Sequence, residues 1–314
     1  MRLATLKRIL GEPSGLVGCV LLVIVLLVAF VGPSMSPHAP TLPVGLPSQA
    51  PTSAYPLGTD FLGRDVLSRL LNGGHSVILI GLSSTLLAYV AGLLAGMFAG
   101  YHGGIADTLM MRGVDVILAF PPLLVLLILV ASGGAHVWIL IVGVVTVQAP
   151  AISRLTRTST LSVARLPYVE AAQARGDSTL TIWRKDVFPN ILPVLLADFG
   201  IRFGISIILV ASMNYLGLGL QPPASDWALM ISENRSTFTL NSMAVVAPAI
   251  ALALLTVSVN LVADAYLRAI TKSPSRHARI WRRRLVTGSN AAGGPATTLA
   301  EAGGQDSCPG AVGS

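Results

Sequence analysis

Apolar residues in this chain gather into long runs instead of recurring on one face of shorter segments. A run needs roughly 20 mainly apolar residues to cross about 30 Å of hydrocarbon. Six runs approach that length, at about 15–31, 77–100, 114–131, 137–150, 191–216 and 243–269. The third and fourth are joined by a short turn at 132–136, and the fourth is the shortest. Between the runs the character changes. Residues 33–56 are rich in Pro and Ser and predict an irregular loop. The last stretch, 272–314, is basic at first and then rich in Gly and Ala. It cannot bury a core, so disorder is expected there. The pattern predicts an all-α polytopic membrane protein with six transmembrane helices. A short N-terminus over 1–14 precedes a membrane domain over 15–271 and the tail over 272–314. Within the domain, loops of note fall at about 33–76, 151–190 and 217–242.

Basic residues orient these spans. With the N-terminus inside, 17 of the 21 Lys and Arg fall on the cytoplasmic side. Arg64, Arg69 and Arg235 fall outside, and Arg202 lies within a span. Positive charge collects on the cytoplasmic flanks of membrane spans, so both termini are expected in the cytoplasm. Arg2, Lys7 and Arg8 ahead of the first run resemble the start of a signal peptide. No small-x-small site follows, because the run leaves through Phe30-Val31-Gly32-Pro33, so an uncleaved first helix is expected.

Composition agrees with this layout. The chain is 53% hydrophobic and 11% charged, with a mean hydropathy of +0.73. A soluble domain carries about 25% charged residues. The net charge of +7 follows membrane topology and gives no sign of nucleic-acid binding. Arg282, Arg283 and Arg284 read as a juxtamembrane cluster facing anionic lipid. Cys19 and Cys308 stand at opposite ends and form no framework. His75, His102, His136 and His277 are scattered without ligand spacing, so no metal site is read.

The loop between the fourth and fifth runs carries the most information. Pro167 suits a first helical turn, and Tyr168 to Ala174 are good helix formers. Gly176 permits the left-handed backbone that ends such a helix. The expectation is a short helix, a sharp turn and a second amphipathic piece, together a knob on which a partner could dock. Glu170-Ala171-Ala172, then Gly176, then Pro189 thirteen residues further on, resembles the EAA loop of bacterial ABC importer permeases. Asp186 and Phe188 stand where the general pattern of that family has Ile and Leu. Other blocks resemble the C-type subunit of dipeptide, oligopeptide and nickel permeases. They include Leu57-Gly58-Thr59-Asp60, the run Gly63 to Leu70, Ala99 to Gly104, Asp115 through Pro121, and Leu216 to Pro223. The resemblance spans residues 55–272.

That resemblance implies a type I ABC importer permease fold and a non-catalytic subunit moving di- or oligopeptides by alternating access. It implies a plasma-membrane location, a homologous permease partner, two ATPase subunits and an extracytoplasmic substrate-binding protein. In this family the EAA loop forms the coupling helix seated in the ATPase, which assigns coupling to Tyr168, Glu170, Ala171, Ala172, Arg175, Gly176 and Pro189. It further implies that outer-loop surfaces with residues such as Asp60, Arg64, Asp226, Glu233 and Arg235 meet the binding protein, although most of these charges are expected simply to be solvated. No cofactor is expected in this chain. It has no Gly-x4-Gly-Lys-Ser/Thr, so ATP and Mg would sit on partner subunits. His-Glu-x-x-His and Gly-x-Ser-x-Gly are absent too. Alternatives in view are nickel or other small-solute import, an ion-coupled secondary transporter and a membrane-embedded enzyme.

Two further patterns lie inside the spans. Gly92, Gly96 and Gly100 form a small-residue ridge, and Gly200 and Gly204 repeat the spacing. Static close packing is the expected role, with a sliding pore face as the alternative. Asp198 and Arg202 are four apart, as are Asn260 and Asp264, and charges in spans need partners. The four are expected to form one polar cluster near the inner gate, unless they reach out to the membrane interface.

Overall fold

The computed structural model describes residues 11–134 and 136–271. The expected features at Arg2, Lys7 and Arg8, and in the tail from Lys272, lie outside the described residues. Eleven helices are named here. They are α1 (Pro13–Phe30), α2 (Val66–Asn72), α3 (Gly74–His102), α4 (Gly104–Leu118), α5 (Pro122–Gly133) and α6 (Val137–Ala164). After them come α7 (Pro167–Ala174), α8 (Thr179–Ile182), α9 (Phe188–Tyr215), α10 (Trp227–Asn234) and α11 (Met243–Thr271). No strand occurs among the described residues, only two isolated bridges in the first outer loop. Five helical stretches are long and apolar enough to cross a membrane, and α4 with α5 makes a sixth if counted as one broken span.

Glycines set the helix packing. A Cβ on Gly92 would approach Ile152 to 2.8 Å, and one on Gly96 would approach the Ser153 carbonyl to 2.5 Å. One on Gly100 would lie 2.7 Å from the Arg157 carbonyl. The ridge is therefore the contact of α3 with α6. Gly200 meets Ala263 and Gly204 meets Asn260 in the same way, seating α9 on α11. Gly18 brings α1 against Leu261 of α11. Near the C-terminal end of α11, Arg268 donates to Glu12 at 3.0 Å and to Ser14 at 2.8 Å.

Two spans differ from the expectation. The third is not one helix over 114–131, because α4 and α5 meet at 86°. Pro121 and Pro122 cause the break. Neither has an N–H to give, and Pro122 drives Pro121 out of the helical region to φ −57°, ψ 129°. The fourth does not end at Pro150, which sits inside α6. Ile152, Thr156, Thr160 and Val163 continue one buried face after it, and tertiary packing against the α3 ridge carries the helix on. At 1.5 Å per residue, the 28 residues of α6 span about 42 Å. That exceeds the hydrocarbon thickness, so α6 projects beyond it, and the loop expected from 151 begins only at Arg165.

The outer segments are largely irregular, as expected, but they are packed. Gly58 and Gly63 have φ of 72° and 77°, and a Cβ on them would collide with the Gln49 and Gly45 carbonyls. Only glycine fits there. Trp227 of α10 is fully buried against Gly73 and Gly74, and its indole N–H donates to the Leu70 carbonyl at 2.8 Å. Asn241 donates to the Leu57 and Thr59 carbonyls. The segments before α3 and after α9 thus pack into one cap.

Candidate functional site

The knob beyond α6 is built by α7 and its turn. Leu166 leaves the helical region ahead of Pro167, and α7 then runs eight residues. It ends in a Schellman turn. The Gly176 N–H donates to the Gln173 carbonyl at 2.9 Å, and the Asp177 N–H reaches the Ala172 carbonyl at 3.2 Å. Gly176 holds φ +82° with open space around its α-carbon, so conformation and not crowding requires glycine. Ser178 caps α8, and a π-helical stretch over Trp183–Val187 leads into α9. Pro189 follows one residue later, after Phe188. A ring there would crowd the carbonyl four residues back, and the widened turn relieves it.

One face of α7 is anchored. Val169 and Ala172 are 0% exposed, in a cluster with Met97, Val163, Ile182 and Val187. Polar ties flank this cluster. Gln173 donates to the Tyr101 hydroxyl at 3.0 Å, and Asn190 donates to the Tyr168 hydroxyl at 3.0 Å. The opposite face, with Glu170, Ala171 and Arg175, is exposed. Arg175 pairs with Asp177 at 2.8 Å on the surface. Of the seven expected coupling residues, Ala172 is buried as an anchor. Tyr168, Glu170, Ala171, Arg175, Gly176 and Pro189 are exposed.

The expected intramembrane cluster divides in two. Arg202 Nε donates to Asp198 Oδ2 at 3.0 Å, as the spacing predicts. Asn260 and Asp264 are exposed on α11, and among the described residues no hydrogen bond or ion pair joins either to that pair. The pair turns instead toward α3 and α6, where Tyr89 donates to Asp198 at 2.8 Å. Gln148 donates to the Arg202 carbonyl at 2.9 Å and to Ser206 at 3.1 Å. The helical register explains the split, because Gly200 and Gly204 already occupy the α9 face toward α11. Nothing in local spacing singled out Tyr89 or Gln148, which lie 109 and 54 residues from their partners.

In that cap, four of the five residues expected to face the binding protein turn inward. Asp60 Oδ2 accepts from Arg64 Nε and Arg69 Nη1, both at 2.6 Å. Glu233 Oε2 accepts from Arg64 Nη2 at 3.0 Å and forms an ion pair with Arg69 Nη1 at 2.7 Å. Asp60 and Arg69 are 0% exposed. Two guanidinium groups and two carboxylates balance, so a buried quartet joins the outer segments instead of lining a solvated surface. Asp226 is buried as the N-cap of α10, accepting from Ala228 and Leu229. Burial pushes its carboxyl above the usual range, partly offset by Asn214 and those N–H groups. Arg235 is exposed. His38, to which no role was given, lies 3.3 Å from Asp65, the N-cap of α2.

A largely apolar cleft of about 670 Å³ opens between α9 and α11 and is lined by Ile208, Ala211, Ser212, Tyr215, Thr256 and Val257. Among the described residues no group of three His, Cys, Asp or Glu side chains is placed to hold a metal ion.

Comparison with known proteins agrees with this geometry. Residues 92–275 match the family described as binding-protein-dependent transport system inner membrane component. The chain is 36% identical over 217 residues to the glutathione transport system permease protein GsiD of Pectobacterium atrosepticum, covering 69% of this chain and 72% of that one. It is 35% identical over 208 residues to the di/tripeptide transport system permease protein DppC of Pseudomonas aeruginosa, covering 66% and 69%. Among solved structures, an inward-facing MetNI methionine ABC transporter aligns with a TM-score of 0.52 at 20% identity, over 65% of this chain and 97% of the matched chain. That likeness establishes the fold alone. The expected multi-pass permease fold and the non-catalytic role stand. The chain belongs to the family of inner membrane components of binding-protein-dependent transport systems.

Proposed function

We propose that this chain is the permease subunit of an ATP-driven importer, moving di- or oligopeptides delivered by a binding protein across the plasma membrane. The observation that carries this reading is the α7 knob. It is anchored by Val169 and Ala172, ended by a turn that requires Gly176, and presents Glu170, Ala171 and Arg175 outward on the far side of α6. Such an element transmits motion and performs no covalent chemistry.

In this mechanism a homologous permease completes the pathway, and two ATPase subunits hold ATP and Mg. Their closure moves α7, and the cavity alternates between outward and inward access. ATP acts by favouring one of two states that differ in affinity for the substrate. Both termini lie in the cytoplasm, in keeping with the distribution of Lys and Arg. The peptide assignment is supported by relatives named for glutathione and di/tripeptide transport. The outer cap is the face offered to the binding protein, with its buried quartet holding that face in shape.

The test is uptake of a labelled dipeptide into proteoliposomes containing the chain with its co-purifying partners. Uptake is expected to require ATP and binding protein and to withstand a protonophore. Uptake driven by a proton gradient without ATP would overturn the proposal.

A further inference from the structure

The Tyr89 side chain joins two groups that the mechanism above leaves separate. Its ring packs against the apolar cluster that buries Val169 and Ala172 of the knob. Its hydroxyl donates to Asp198 Oδ2 at 2.8 Å and lies 3.3 Å from the carbonyl of Leu195, itself buried in that cluster. Asp198 holds Arg202, whose carbonyl accepts from Gln148. Gln148 also donates to Ser206, whose hydroxyl is 2.9 Å from that of Thr85. A continuous line of contacts therefore runs from the knob to a polar group shared by α3, α6 and α9.

We propose that Tyr89 is the positioning residue through which movement of the knob reaches the Asp198–Arg202 pair. This rests on the importer reading. Apolar contacts in the cluster tolerate small slips, because they are non-directional. The Tyr89–Asp198 bond does not. A hydrogen bond to a carboxylate within a membrane-embedded core is directional and costly to leave unmade. When the start of α9 shifts with α7, either the bond carries the pair along or the pair repartners. Two positions of the knob then correspond to two arrangements of the polar group.

The experiment uses the complete complex in proteoliposomes and reads ATP hydrolysed per peptide imported, a ratio in which the amount of assembled complex cancels. Tyr89→Phe keeps the ring and removes only the hydroxyl. It is expected to raise the ratio about three- to tenfold, with ATP hydrolysis within about twofold of wild type. In a double-mutant cycle with Asp198→Ala, the Phe substitution is expected to add no further loss. A wild-type ratio in Tyr89→Phe, or losses that simply add in the double variant, would overturn the proposal. Peptide uptake without ATP in the wild-type complex would instead overturn the importer reading beneath it.

Discussion

Arg69 Nη1 stands 2.7 Å from the Glu233 carboxylate, joining the two outer segments across more than half the chain. Asp60 and Arg64 complete the quartet, and three of the four residues are almost fully buried. A buried pair contributes little net stability, but removing one partner strands the other charge. Arg69→Ala should therefore destabilise the chain by about 3–5 kcal/mol. Thermal unfolding of the purified complex would show a lower midpoint, whereas Arg235→Ala, at an exposed site, should change it little.

The knob turn gives a sharper discrimination. Gly176 has φ +82° and nothing near its α-carbon. Gly176→Val should strain the backbone by about 1–3 kcal/mol through conformation alone, whereas Asn, which tolerates the left-handed region, should be milder. Peptide uptake should fall in the order Gly, Asn, Val while binding-protein docking at the far side of the membrane is unchanged. Equal uptake by all three would remove the turn from the mechanism.

Helix packing predicts a separate defect. A Cβ on Gly96 would lie 2.5 Å from the Ser153 carbonyl and 2.6 Å from the Thr156 Cβ, both on α6. Gly96→Leu should force α3 and α6 apart and cost about 1–3 kcal/mol or more. The expected readout is lower yield and a lower unfolding midpoint. ATP consumed per peptide by the surviving complex should stay normal, in contrast to Tyr89→Phe.

Asp226 links stability to pH. Its carboxyl titrates above the usual range because of burial. Between the unfolded value and the raised folded value, the folded state therefore holds a proton that the unfolded state has lost. The stability it contributes is full below the unfolded carboxylate value of about 3.9 and is lost as pH rises through the raised folded value. Asp226→Asn preserves an N-cap side chain and abolishes the buried charge. The variant should unfold at a higher temperature than wild type at pH 7.5, and the gap should narrow as pH is lowered. A pH-independent gap would contradict this assignment.

How much of this was legible beforehand depends on whether the signal was local. Long apolar runs and the short motif from Glu170 to Pro189 are local, and they located the spans and the knob. The third span was misjudged because hydropathy ignores backbone geometry. Pro121 and Pro122 pass as apolar while breaking the helix. The reach of α6 past Pro150 was hidden for the opposite reason, since its polar residues disguise a buried face that only the α3 ridge reveals. Asp198 and Arg202 paired as four-residue spacing dictates. Asn260 meets α9 at Gly204 and not at the Asp198–Arg202 pair, because four-residue spacing within each helix does not fix which residues meet across two helices. Spacing could not reveal that Glu233 closes on Arg64 and Arg69 from 169 and 164 residues away.

The central claim is that the exposed face of α7 docks on a separate ATPase. Ala171 lies on that face, so a photo-crosslinking amino acid placed there, in membranes containing the whole system, tests it most directly. Mass spectrometry of the adduct is expected to identify an ATPase carrying a phosphate-binding Gly-x4-Gly-Lys-Ser/Thr loop, while a probe at the outer-loop position Leu240 should not capture it. An intact complex whose Ala171 probe captured only lipid or another copy of this chain would contradict the account.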